Sequence, residues 1–147
     1  GKERRQLSVI DKEGIGGVFS GNENSSITDQ LVSKNIVLSG NILSNKNILN
    51  SMMDKYLKSE NQNLVDRLYN ALKVGNEAGG DRRGIFSASI LIVCRDFPPI
   101  SLRVDYSTNP LKKLRELIEK LNTLEYTNWL NHLPIISDPY KCKPSDK

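Results

Sequence analysis

Apolar and polar residues alternate from Gln6 to Asp11, with Leu7 and Val9 on one side, and this pattern predicts a strand. Lys12-Glu13-Gly14 reads as a turn, and residues 16–20 read as the returning strand of a hairpin. Residues 21–33 are polar, rich in Asn and Ser, and read as a loop. Residues 35–43 are strand-like, with Gly40-Asn41 set inside. A glycine within a strand marks a bulge or a close backbone approach.

The period then changes. Ser44 or Asn45 offers an N-cap. Ile48, Leu49, Met52, Met53, Tyr56 and Leu57 follow at helical spacing. Two methionines on one helix face read as core rather than as an adaptable groove. After a break over residues 58–63, Leu64, Val65, Leu68 and Leu72 define a second helix, for which Gly75 is the expected stop. Residues 85–94 form an apolar strand that opens on the small side chains Ser87, Ala88 and Ser89. Residues 95–99 turn the chain, and residues 100–106 read as the next strand. There Leu102 and Val104 face one way, and Ser101, Arg103 and Asp105 the other. Asn109-Pro110 is a helix start, with Asn as cap and Pro in the first turn. Leu111, Leu114, Leu117, Ile118 and Leu121 form its apolar stripe, and Glu116 with Lys120 is a supporting pair at i,i+4. That helix is expected to fray near residues 122–126.

The predicted order is β-β-β-α-α-β-β-α, with strands and helices segregated. Segregation places the chain in the α+β class, as largely antiparallel sheets with helices packed outside. Residues 1–132 are expected to form one domain. Residues 133–147 carry Pro134, Pro139 and Pro144 among charges and are expected to be an irregular, partly disordered tail.

Composition narrows the function classes. With 37% hydrophobic and 26% charged residues the chain is globular. No apolar run approaches the roughly 20 residues that span a bilayer, so no membrane partner is expected. The net charge of +4 is spread over scattered pairs, and aromatics make up 6%, too few to interleave a basic stripe. This argues against a nucleic-acid partner. Cys94 ends an apolar strand and reads as a buried small hydrophobe, while Cys142 lies in the tail. No disulfide framework and no signal peptide are evident, which points to a reducing, cytoplasmic setting.

The segment Gly79-Gly80-Asp81-Arg82-Arg83-Gly84 stands out. Glycine admits positive φ and close approach, and arginine offers a planar fork for carboxylate or phosphate. A tight helix-to-strand turn, capped by Asp81 and laced with surface ion pairs, explains the same residues. Arg103 and Asp105 likewise read as a surface ion pair or as a site pair. The single histidine, His132, reads as a surface or helix-end residue. It forms no nucleophile–base arrangement. No metal-ligand spacing and no phosphate-cradling loop occur, so neither metal nor cofactor is expected.

Several short motifs together resemble a known family. These are Arg5-Gln6, Val9-Ile10-Asp11, Gly40-Asn41-Ile42-Leu43, residues 76–84, Ser87-Ala88, Leu102-Arg103-Val104-Asp105 and Asn109-Pro110-Leu111. In this order and spacing, from Arg4 to about Leu121, they look like the domain of unknown function 1028 family. The resemblance implies an N-terminal nucleophile hydrolase: a four-layer sandwich of two sheets with helices outside, and a terminal Ser, Thr or Cys whose own α-amine is the base. It further implies amide-bond hydrolysis of a small carboxylate or amide substrate. Asn41 is the candidate oxyanion donor, Asp81 the group orienting the amine, Arg82 and Arg83 the carboxylate binders. Asp105 is a further supporting candidate and Arg103 a further binding candidate. Gly1 falls inside the family's fold and has no side chain to act as nucleophile. The expectation is therefore a C-terminal portion of such a protein, or a short form, partnered by a companion N-terminal segment or by further copies of itself. Three places depart from the family pattern. Residues 21–34 lack its Cys and Trp-Ala-Gly-His, Ile85-Phe86 replaces a basic-polar pair, and Tyr106-Ser107 replaces an acid and a histidine. A non-catalytic assembly subunit and a small anion binder are the alternatives.

Overall fold

A computed structural model of the chain describes residues 1–25 and 27–141. Cys142 and the last residues of the expected tail lie outside the described residues. The described residues are α+β: six strands in three antiparallel pairs, and four α-helices. Among them no helix is long and apolar enough to cross a membrane. The chain divides into two compact units, Gly1–Ile85 and Phe86–Lys147.

In the first unit a 3-10 turn at Lys2–Arg4 leads into β1 (Gln6–Ile10), which pairs with β2 (Gly16–Ser20). Asp11 closes this hairpin by accepting the N–H groups of Glu13 at 3.0 Å and Ile15 at 2.8 Å, the Asx-turn chemistry that makes Asp a turn residue. A second hairpin follows. β3 (Asp29–Ser33) pairs with β4 (Ile36–Gly40), Leu31 opposite Leu38. The strand β3 corrects the expected loop over residues 21–33. Its apolar part is only Leu31-Val32, flanked by Asp29, Gln30 and Ser33, too short a run to read as a strand without its partner. β4 is likewise shorter than the expected strand. It ends at Gly40, and Ile42 turns away with φ +55°. Gly40-Asn41 is thus the end of the strand and not a bulge within it.

Helices α1 (Ile48–Leu57) and α2 (Leu64–Glu77) complete this unit. Leu43, Ile48 and Leu49 form its buried centre, with Ile27, Leu31, Leu38, Met52 and Ala78 packed around them. Met52 is therefore core, as its helical spacing indicates. Asn45 is not the helix cap. α1 starts after Asn47, and Asn45 instead accepts the Asn47 N–H at 2.9 Å and donates to the Ala78 carbonyl at 2.7 Å. α2 is capped by Asn63, which accepts from the Asp66 N–H at 2.9 Å. Gly75 is not its stop. It lies buried inside the helix, where a Cβ would come within 2.6 Å of the Met52 sulfur. Its lack of a side chain serves the α1–α2 contact.

In the second unit β5 (Ala88–Ile92) pairs with β6 (Ile100–Val104), Ile90 opposite Leu102, and α3 (Pro110–Leu121) packs on this pair. Asn109 caps α3 by accepting the Lys112 N–H at 3.2 Å, and Pro110 occupies the first turn. Leu111, Leu114 and Ile118 are buried, as their spacing indicates. Three expectations are corrected here. Strand β5 ends at Ile92, so Cys94 is an exposed free thiol and not a buried hydrophobe. Glu116 pairs with Lys113 at 2.8 Å rather than with Lys120, because the i,i+3 neighbour reaches it first. Finally, residues 122–126 do not fray. Thr123 accepts the Tyr126 N–H and caps a further helix, α4 (Leu124–Leu130), whose Leu130 is buried. His132 sits just past this helix, its Nδ1 2.7 Å from the Asn128 carbonyl oxygen.

Candidate functional site

Two features of the first unit concentrate its polar chemistry, and backbone hydrogen bonds stitch them to one another. The glycine-arginine turn leaves α2 through Gly79 at φ +125° and Gly80 at φ +55°, backbone that side-chain-bearing residues rarely adopt. Gly80 accepts the Ser44 N–H and the Arg82 N–H donates to the Ile42 carbonyl, both at 3.0 Å. Asp81 and Leu43 form an isolated antiparallel bridge. Asn41, one residue before Ile42, therefore belongs to a segment tied directly to the turn.

Within the turn Asp81 and Arg83 satisfy each other. Arg83 donates from Nε at 3.0 Å and Nη2 at 2.6 Å to the two carboxylate oxygens, and its backbone N–H donates to Oδ1 at 2.8 Å. The guanidinium hydrogen bonds hold the Asp81 carboxyl below the usual carboxylate range, and the same bonds raise Arg83 above the usual arginine range. Arg82 is exposed. In the second unit Arg103 bonds Asp105 on the exposed side of β6, which raises Arg103 in the same way. Arg83, one of the two expected carboxylate binders, and Arg103, a further binding candidate, are thus each bonded to a neighbouring aspartate.

The other feature is an open groove of about 640 Å³ at the start of β1, lined among others by Arg4, Arg5, Gln6, Asn24, Ser39, Asn41 and Ile42. Gln6 organises it. The two N–H groups of its Nε2 are shared among three acceptors, the carbonyls of Asp29 at 3.0 Å and Gly40 at 3.2 Å and the Ser20 hydroxyl at 3.1 Å. Two carbonyl acceptors fix which end of the Gln6 amide is nitrogen, so its oxygen must accept. It accepts from Asn41 Nδ2 at 3.1 Å. Asn41 is thereby oriented with an N–H toward Gln6, and its second N–H and its oxygen have no partner among the described residues. Beside it Ile42 holds φ +55°, a left-handed conformation that strains a β-branched side chain. Ser25 Oγ holds it there by accepting the Ile42 N–H at 2.6 Å. Strain of this kind costs about 1–3 kcal/mol and gathers at functional sites.

No acidic side chain lines the groove. Arg4 bonds Glu23 at 3.2 Å with both side chains exposed, while Arg5 has no acid partner among the described residues. Sequence reading singled out Asn41 but passed over Arg5 and Gln6 as chemistry. Their signal was present in a basic pair followed by an amide at the head of a strand, yet nothing local shows that β4 ends beside them. Among the described residues no three His, Cys, Asp or Glu side chains gather into a group that would hold a metal ion.

Residues 1–114 match the "Family of unknown function (DUF1028)". The chain belongs to this family. A crystal structure of a DUF1028 protein from Silicibacter pomeroyi is similar over 95% of this chain, with a TM-score of 0.87 and 31% sequence identity. The match covers 62% of that protein's chain, so the 147 residues here span less than two thirds of its length. No curated protein is significantly similar to the sequence. The DUF1028 match takes in the groove, the glycine-arginine turn and both strands of the second unit.

Proposed function

We infer that this DUF1028 chain is the substrate-facing part of an amide-bond hydrolase of the N-terminal nucleophile type. In this reading the nucleophile is a terminal Ser, Thr or Cys outside these residues. An α-amine with a pKa near 8 takes the nucleophile's proton, so no histidine is needed. The observation that carries the reading is Asn41: a side-chain amide held by Gln6, in a donor-rich groove free of acids, with strained Ile42 beside it. An oriented amide N–H of this kind suits an oxyanion, whose developing charge a preorganised donor stabilises. Asp81 acts at one remove. Its ion pair with Arg83 rigidifies the turn that is bonded to Ile42.

The test is turnover of small N-acyl amino acids by the full-length protein purified from its own host with its N-terminus sequenced. Hydrolysis is expected, with kcat falling about 100-fold in Asn41→Ala while folding is kept. Absence of turnover across the panel, from protein with a terminal Ser, Thr or Cys, removes the reading.

One observation favours a second reading as an assembly subunit. Leu7, Val9 and Phe19 share the outer face of the β1–β2 pair and are exposed, and an apolar face of this sort marks an interaction surface. Sedimentation of the purified protein separates the two: a stable oligomer without turnover supports the second.

A further inference from the structure

We propose that the groove at the start of β1 binds a small carboxylate, with Arg5 as its anion fork. Calling that ligand a substrate rests on the hydrolase reading. The binding itself does not.

The argument begins with charge. A groove without a lining acid has a net positive wall, and of its two arginines only Arg5 is free of an acid partner among the described residues. A guanidinium presents parallel N–H donors that match the two oxygens of a carboxylate. Positioning comes from the backbone. The Arg5 N–H donates to the Lys2 carbonyl and the Arg5 carbonyl accepts from the Gly21 N–H, each at 2.9 Å. The base of the side chain is thus pinned between the 3-10 turn and the end of β2. Around it stand neutral groups, the amides of Asn24 and Asn41 and the Ser39 hydroxyl, which suit the polar body of a ligand and not a second charge.

The same features choose between anions. A phosphate dianion calls for two uncommitted cations, and Arg4 shares its charge with Glu23. One uncommitted guanidinium among neutral amides matches a single negative charge. Of the other arginines considered for this role, Arg83 is bonded to Asp81 and Arg103 to Asp105, and Arg82 does not line the groove.

Titration of the full chain, followed by NMR and calorimetry, tests the proposal with three probes: N-acetylglycine, its uncharged amide, and inorganic phosphate. N-acetylglycine is expected to bind at least tenfold more tightly than the neutral amide and more tightly than phosphate, and to weaken as salt rises. Arg5→Gln is expected to lose at least tenfold, Arg5→Lys to fall between, and Lys12→Gln, the same charge change at the far turn of the hairpin, to bind as the wild type does. Arg5 is exposed, so its variants keep the wild-type melting temperature. Unchanged binding in Arg5→Gln, equal binding of the neutral amide, or tighter binding of phosphate overturns the proposal. The two readings fail separately. Arg5-dependent binding without turnover removes the hydrolase alone. Turnover whose KM is unmoved by Arg5→Gln removes this site alone.

Discussion

Arg83 folds back on Asp81, two residues before it, and the pair shares three hydrogen bonds: two from the guanidinium and one from the Arg83 backbone N–H. The turn they close is bonded through Arg82 N–H to Ile42 and through Gly80 to Ser44. A contact local in sequence therefore fixes the end of α2 against the segment that carries Asn41.

Asp81→Ala removes the acceptor of these bonds and is expected to lower stability by about 1 kcal/mol. Asp81→Asn keeps an oxygen for the Arg83 N–H and loses the charge, so it falls between the two. The acid dependence follows from Arg83, whose side-chain bonds lower the folded Asp81 pKa below its ordinary 3.8. The unfolded chain then takes up the proton first as pH falls. The ion pair's contribution is whole above pH 3.8 and is lost as pH drops through the lowered value. Melting temperatures of wild type and Asp81→Asn, measured from pH 7 to pH 2, are expected to converge only at the acid end. A gap that persists unchanged at pH 2 contradicts this.

Gly21 holds the arginine segment in place by having no side chain. A Cβ there would lie 2.4 Å from both the carbonyl carbon and oxygen of Glu3, backbone atoms that cannot turn aside. Gly21→Ala must push the Lys2–Arg4 turn away from the end of β2, at a cost of about 1–3 kcal/mol. Because Gly21 N–H also bonds the Arg5 carbonyl, carboxylate affinity should fall with it. Denaturant midpoints and N-acetylglycine titrations of this variant check both. Wild-type values in each would show that the segment is not clamped.

Leu114 is completely buried on the inner face of α3, whereas Leu124 at the start of α4 is 76% exposed. Leu114→Ala leaves a cavity between the helix and the β5–β6 pair and is expected to cost about 2–5 kcal/mol. The same substitution at Leu124 should stay within about 0.5 kcal/mol. Urea midpoints of the two variants compare directly, since each deletes the same atoms.

The sequence was legible where one period ran without interruption. The stripe of α3, its Asn109 cap and the β1–β2 hairpin all rest on local pattern, and the structure reproduces them. It was less legible where a partner decides. Strand β3 is recognisable only once β4 lies beside Leu31. Thr123 caps α4 in a stretch whose apolar residues, Leu124 and Trp129, are exposed and follow no clear stripe. Cys94 was misread because the apolar run continues two residues past the end of β5. For the site, the Asp81–Arg83 pairing was half legible, since both readings of the turn begin from the same residues. The groove was not, because Arg5, Gln6 and Asn41 meet only through two hairpins.

Gly75 tests the packing of α1 on α2 in a way its sequence position does not suggest. Alanine at a helix interior is ordinarily better than glycine by about 1 kcal/mol. Here an added Cβ would stand 2.6 Å from the sulfur and 2.7 Å from Cγ of Met52, and crowding of that kind costs about 1–3 kcal/mol. Because Cγ lies near the root of the Met52 side chain, a change of the outer torsions does not clear it, and the crowding outweighs the helix gain. Gly75→Ala is therefore expected to destabilise the protein. Met52→Ala alone also destabilises, since Met52 packs against the buried Ile48–Leu49 centre. Combined, the small residue at 52 makes room for the methyl at 75, and the double variant should be more stable than the sum of the two losses by at least about 0.5 kcal/mol. Additive losses in the urea-unfolding cycle would mean that the two helices do not meet at this pair.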